Sequence, residues 1–295
     1  MANSTSSNPG RYAKIMLDHW FKRTFGESNE RTLRLFLQEV IPERTIETLT
    51  YTPQEHTNPF ADKKDNRVDV ECTDASGARF VVEMQLAPQQ SFYDRAVFNS
   101  TFAILQQRDK GEGDEYFFPT VYMIGLMDFS FHKDSEQVLF RYRLREDMTG
   151  EVMTDHIQYI FLELLNCRNA LTPKATALDN LCYILHNIQD MDRIPEGIDS
   201  ELISLLFKSA DICTFTSEEK ARYDYDMNNE RDIKNQISYA RIEGRAEGRA
   251  EGRAEGRAEG LMDTARRMLA KGIDMDVIAE LTTLSTEEIR ALAAN

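Results

Sequence analysis

The run VYMIGLMDF at 121–129 constrains this chain more than any other stretch. It is apolar at consecutive positions, so both faces of a strand built from it must be covered. That is the signature of a strand buried in the middle of a sheet with material packed on either side.

The second constraint is RVDVECTDASGARFVVEMQ at 67–85, two alternating runs around the turn-like DASGA. A hairpin centred at Ser76 sets Asp69 directly opposite Glu83, with their Cβ atoms ~5 Å apart. Gln85 shares that face by strand parity. Val68, Val70, Cys72, Phe80, Val82 and Met84 are expected on the other face, in the core. Like charges facing each other destabilise a sheet, so a positive group between them is expected. A hard divalent cation held by carboxylate oxygens suits the place, with Mg²⁺ the common choice, and such an ion assists phosphodiester hydrolysis. Carboxylates on the solvent face of a hairpin also occur with no ligand, and that reading stays open on spacing alone.

Around these strands the periodicity predicts an amphipathic helix at 12–25, a second at about 29–40 and a third at 91–109. Further strands are expected at 137–144 and 156–165, and helical pattern from about 174 to 237. The exact repeat EGRA occurs four times at 243–258, and 261–295 reads as about three short helices, with Ser285 and Glu288 forming a capping box. The expected organisation is a disordered tail at 1–10, an α/β domain at 11–237, a repeat helix or linker at 238–260, and a small helical tail at 261–295.

Within a helix, the period of four stacks Glu on Glu and Arg on Arg at i,i+4, which is unfavourable. Each glycine costs about 1 kcal/mol against alanine. Two readings follow, a self-associating helix whose acidic stripe meets a basic stripe of a second copy, or a solvated polyampholyte spacer.

The formal net charge is −15, awkward for a nucleic-acid binder unless a local basic cleft exists. The tail 273–295 holds Asp274, Asp276, Glu280, Glu287 and Glu288 against Arg290, which favours a protein contact over DNA reading. The cysteines Cys72, Cys167, Cys182 and Cys213 are scattered, as are the five histidines, so a zinc site has little support. No stretch of about 18 apolar residues suggests a membrane span. MANSTSSNPG has no apolar signal core, so a cytoplasmic protein is expected.

Several pieces in order resemble one family. They are DHWFKRTFG at 18–26, the hairpin at 67–85, FYDRAVFNS at 92–100, KGEGDEYFFPTVYMIGLMDF at 110–129 and LELL at 162–165. Together they are similar to the PD-(D/E)XK nuclease superfamily, and within it to the Rpn group of recombination-promoting nucleases and transposases, over roughly residues 11–235. The resemblance implies an α/β core with a mixed central sheet, and Mg²⁺-dependent cleavage of DNA. It implies Asp69, Glu83 and Gln85 as catalytic residues, with Asp18, Asp69 and Glu83 as metal ligands. Gln85 stands where many relatives have lysine, and glutamine hydrogen-bonds without supplying charge. Lys22 and Arg95 are the expected phosphate contacts. The alternative function is a catalytically weak nuclease-like protein that oligomerises through its C-terminal part.

Overall fold

The computed structural model describes residues 10–52, 55–56, 66–105, 107 and 118–293. The expected disordered tail at 1–10 lies outside them except for Gly10. The chain divides into two compact units, residues 1–221 and 222–295.

The first unit runs α1 (Asp18–Phe25), α2 (Glu30–Val40), β1 (Leu49–Tyr51), β2 (Glu55–His56), β3 (Asn66–Arg67), β4 (Val70–Asp74), β5 (Arg79–Gln85), α3 (Phe92–Leu105), β6 (Val121–Met127), β7 (Leu139–Arg143), β8 (Ile157–Glu163), α4 (Ala177–Asn187) and α5 (Glu201–Ala210). Six strands form one mixed sheet in the order β1-β4-β5-β6-β8-β7, and β2 and β3 make a separate ribbon. Strands β5, β6 and β8 are parallel, and the other pairings are antiparallel.

Every residue of β6 is buried, as its unbroken apolar run requires. On one face α3 covers the sheet through Phe92, Ala96 and Ala103 against Val81, Val121, Met123 and Phe161. On the other, Phe21, Phe25, Leu33, Phe36, Leu181 and Leu206 from the remaining helices pack on Val70, Cys72, Phe80, Val82, Ile124 and Ile160. Gly125 sits where a Cβ would lie 2.8 Å from Phe161 Cδ1 and 3.2 Å from Phe92 Cζ. The central strand therefore has no side chain at the point where α3 and β8 deliver two aromatic rings.

The β4–β5 turn is closed by its own residues. Asp74 Oδ1 accepts hydrogen bonds from Ser76 N at 2.9 Å, Ser76 Oγ at 2.7 Å and Ala78 N at 3.0 Å, while Arg44 Nε reaches Oδ2 at 2.8 Å. Gly77 takes φ +86°, a conformation that glycine adopts without a Cβ penalty. The register Val70↔Val82 and Cys72↔Phe80 is the one expected for a hairpin centred at Ser76.

Two expectations are corrected. The first helix begins at Asp18, not at 12. Residues 12–17 are buried without a wet face, and Tyr12 bridges to Asp211 in extended conformation. Val68 does not share the face of Val70 and Cys72. It packs in the α3-side cluster with Val81, because the chain bends at Asp69 and breaks the alternation.

In the second unit, α6 (Ser217–Ala270), which begins in the first, is one helix of 54 residues that contains all the EGRA units. At 1.5 Å per residue it is ~80 Å long. Helices α7 (Met275–Thr282) and α8 (Thr286–Ala293) follow. Ala265, Ile278 and Ile289 form their common core with the end of α6. The capping box is present: Glu288 N donates to Ser285 Oγ at 3.2 Å, and Ser285 N to Glu288 Oε2 at 2.8 Å.

Candidate active site

Asp69 lies in the bend just before β4, and its position decides the site. Its Oδ2 accepts the Met84 amide at 2.8 Å, so the side chain folds back onto β5. Its own backbone N–H is directed to the Glu83 carboxylate. The bend that removes Asp69 from the ladder is thus what brings the two carboxylates together.

Glu83 is buried. Helix α3 places Arg95 and Asn99 one turn apart, so both face it. Asn99 Nδ2 donates to Glu83 Oε1 at 3.2 Å, and Arg95 Nη2 is 3.8 Å from Oε2. From α1, Lys22 pairs with Asp18 at 2.6 Å, and the Lys22 charge acts on both Asp69 and Glu83. Gln85 is buried two residues along the same strand face.

Burial pushes the Asp69 carboxyl up, against the Met84 amide and the Lys22 charge. Burial, and then the Asp69 charge, push Glu83 further, from 4.5 to about 8, against Arg95, the Asp69 amide and Lys22. Glu83, raised by burial and by the Asp69 charge, and Asp69, raised by burial, form a strained pair of carboxyl groups.

The expected site residues fall into two groups. Asp69 and Glu83 are together, with Arg95 3.8 Å from Glu83 and the charges of Lys22 and Asp18 acting on Asp69. Asp18 is bound to Lys22 with most of its side chain exposed. Among the described residues, no group of three or more His, Cys, Asp or Glu side chains gathers closely enough to hold a metal. The donor set at hand is therefore the Asp69–Glu83 pair. Its chemistry fits a magnesium-type ion, which is bound through one or two carboxylates and keeps several waters. The buried Asn99 Oδ1 beside Glu83 lacks a hydrogen-bond partner in the described structure, as an acceptor facing a hydrated ion would.

Sequence reasoning missed Asn99, although FYDRAVFNS places it four residues after Arg95. It also missed a cluster at the carboxyl end of β8. There the fully buried Glu163 accepts from Ser130 Oγ at 2.6 Å, Asn166 Nδ2 at 2.8 Å and His132 N at 3.2 Å, and its Oε1 lies 2.7 Å from His132 Nδ1. Burial pushes the Glu163 carboxyl up, but the bonds from Ser130 and His132 outweigh it and hold the group below the usual carboxylate range. At the end of β6, Asp128 binds Lys14 at 3.5 Å and also His186. These contacts join residues remote in sequence, and no local pattern signals them.

Residues 15–240 match the family model described as PD-(D/E)XK nuclease family transposase. Residues 259–294 match the model of the Rpn/YhgA-like nuclease family, C-terminal HTH domain. No curated protein and no solved structure matches the chain. The second match identifies α7, α8 and the end of α6 as a helix-turn-helix domain. With a match across the sheet and its helices, and the family's C-terminal domain following it, the chain belongs to the PD-(D/E)XK nuclease family of transposases.

Proposed function

We propose that the protein is a Mg²⁺-dependent DNA endonuclease of the mobile-element, recombination-promoting type, hydrolysing phosphodiester bonds at the Asp69–Glu83 pair. The observation that carries this reading is the meeting of the buried Glu83 with the half-buried Asp69 under the charges of Lys22 and Arg95. Asp69 and Glu83 are the residues to hold the cation, with Asn99 and the Met84 amide fixing their orientation. A divalent cation, when bound, supplies positive charge against the scissile phosphate and makes water more acidic. Arg95 offers a planar fork to a phosphate oxygen and Lys22 a point charge. Gln85 can orient a water by hydrogen bonds but adds no charge. The helix-turn-helix domain supports DNA as the partner. No helix among the described residues is long and apolar enough to cross a membrane.

A second reading rests on Gln85 and α6. A site without the motif lysine suits a catalytically weak protein, and a long helix with exposed Ile233, Ile237 and Ile242 suits self-association. One assay separates the two: supercoiled plasmid incubated with Mg²⁺ or EDTA, for the parent, Asp69→Ala and Glu83→Ala. Nicking that needs Mg²⁺ and falls at least ~100-fold in both variants supports the nuclease. Equal activity in folded variants refutes it.

A further inference from the structure

Beyond the carboxylates, the same face of the sheet carries three aromatic rings that are more than a third exposed. Tyr93 on α3 is 43% exposed, Phe131 after β6 is 38% and Tyr142 on β7 is 37%. They lie against one another: the Tyr93 ring centroid is 5.3 Å from Phe131 and 6.0 Å from Tyr142. Beneath them is Phe161, 5.7 Å from Tyr93 and 5.6 Å from Tyr142. Phe161 is level with Glu83 across the sheet, through Glu83↔Gly125↔Phe161. Two strand spacings separate the two, ~10 Å. Tyr93 and Arg95, two residues apart on the first turn of α3, point to opposite flanks of the helix, and the buried Phe92 between them covers Gly125, so the rings lie across the start of α3 from the carboxylates.

His132 follows Phe131 in the chain and lies on Phe140, two residues before Tyr142 on β7. Its Nδ1 is committed to the buried Glu163, and its ring stacks on Phe140 at 4.0 Å with 14° between planes. With Nδ1 and one face engaged, the His132 side chain is still 40% exposed, and its second ring nitrogen is Nε2. The site thus offers flat apolar faces beside a fixed polar nitrogen.

We infer that Tyr93, Phe131, Tyr142 and His132 form a base-stacking subsite for an unpaired stretch of the DNA strand beside the cleavage site. This rests on the nuclease reading above and adds the substrate's state to it. The occupant follows from position and chemistry. A strand whose phosphate lies at Glu83 continues to either side, and ~10 Å is within reach of its neighbouring nucleotides. Aromatic rings stack on bases of any sequence because every base has a π-face. Those faces are covered in a duplex and free only in unpaired or extruded nucleotides. The Nε2 of His132 can hydrogen-bond a base edge or a phosphate.

The test measures binding without cleavage. Fluorescence anisotropy in EDTA compares a fluorescein-labelled oligothymidylate with a duplex of equal length, using the full chain. Phe131→Ser is expected to weaken the oligothymidylate ~10-fold or more and the duplex less than ~2-fold. Phe131→Trp is expected to bind like the parent, with its emission quenched on titration. The protein's single tryptophan, Trp20, is buried and leaves that signal clean. Equal loss for both probes, or no loss, overturns the inference. So does a change of mass in Phe131→Ser with oligothymidylate affinity unchanged, which makes the ledge an interface between copies. If Phe131→Ser does not fold, absent quenching in Phe131→Trp overturns it instead. The plasmid assay reads Asp69 and Glu83 separately, so the nuclease reading and the ledge can fail independently.

Discussion

Glu83→Gln removes the ionisable group of Glu83 from the Asp69–Glu83 pair and keeps the carbonyl oxygen that accepts from Asn99. Its effect on stability follows from proton linkage. The folded protein holds Glu83 at about 8, against 4.5 unfolded. Between those values the folded state binds more protons than the unfolded one, so the stability from Glu83 is fully present below 4.5 and is lost as pH rises to about 8. At ~1.4 kcal/mol per pH unit this amounts to a few kcal/mol. The proton belongs to the Asp69–Glu83 pair as a unit, so about 2–4 kcal/mol is the expected range. In EDTA, Glu83→Gln should therefore match the parent near pH 5 and exceed it at pH 8.5, by roughly 5–12 °C in Tm. The same variant should lose cleavage, a site where function is held against stability. Mg²⁺ should raise the Tm of the parent at pH 8.5 and not that of Glu83→Gln, because only a state that binds the ion is stabilised by it. Thermal melts across pH, followed by circular dichroism with and without Mg²⁺, make the measurement. A parent whose Tm is flat from pH 5 to 8.5, with no gain in Glu83→Gln, refutes the strained pair.

Gly125→Ala brings a methyl to 2.8 Å from Phe161 and 3.2 Å from Phe92, both in the core. It should cost about 1–3 kcal/mol by urea unfolding, and a variant within ~0.5 kcal/mol of the parent would show the rings to be mobile. Gln85→Lys should keep or raise plasmid cleavage if Gln85 occupies the lysine role, and a folded, inactive Gln85→Lys denies it that role. Chains with two, four and six EGRA units, and one ending at Tyr239, should differ in oligomeric mass by light scattering. Equal masses for all four make the repeat a spacer.

The fold was legible where a local rule governed it. The apolar run at 121–129 could only be central, and Asp74, Ser76 and Gly77 supplied a turn that set the register of 67–85 from its own residues. Periodicity failed at 12–17 and at Val68 for one cause. It assumes that an element continues, and both places are where the chain leaves its element to meet another. At 12–17 an apolar run is buried on all sides by α5 and its neighbours, which imitates a helix stripe. At Asp69 a bend turns parity over, yet the carboxylate still reaches Glu83, because its side chain bonds the Met84 amide rather than projecting from the ladder. Asp69 and Glu83 were thus named by spacing but met through a hydrogen bond that spacing does not describe. His132 and Glu163, 31 residues apart and joined only by the fold, had no local signature.

The net charge does not weigh against DNA, because it is unevenly spread along the chain. The total of −15 divides into −12 over residues 1–221 and −3 over 222–295. Within the latter, residues 231–271 hold ten basic and seven acidic side chains, a net +3. A tail that begins at 273 leaves out Arg266, Arg267 and Lys271, all exposed at the end of α6. Those cations belong to the helix-turn-helix domain matched at 259–294, whereas α7 and α8 carry the acidic residues. If this domain binds DNA, its phosphate contacts come from the end of α6. Arg267 is held by Asp263 at 2.7 Å, an exposed i,i+4 pair worth only about 0.3–0.5 kcal/mol and readily exchanged for a phosphate. Replacing Arg266 and Arg267 by Gln should weaken duplex binding about equally for all sequences. It should also lower the slope of log K against log salt by ~0.9 for each phosphate no longer neutralised, ~1.8 for two. Anisotropy titrations at several salt concentrations measure both. An unchanged slope, together with unchanged affinity, would remove α6 from the DNA interface and return the tail to the protein-binding role that its acidic helices suggest.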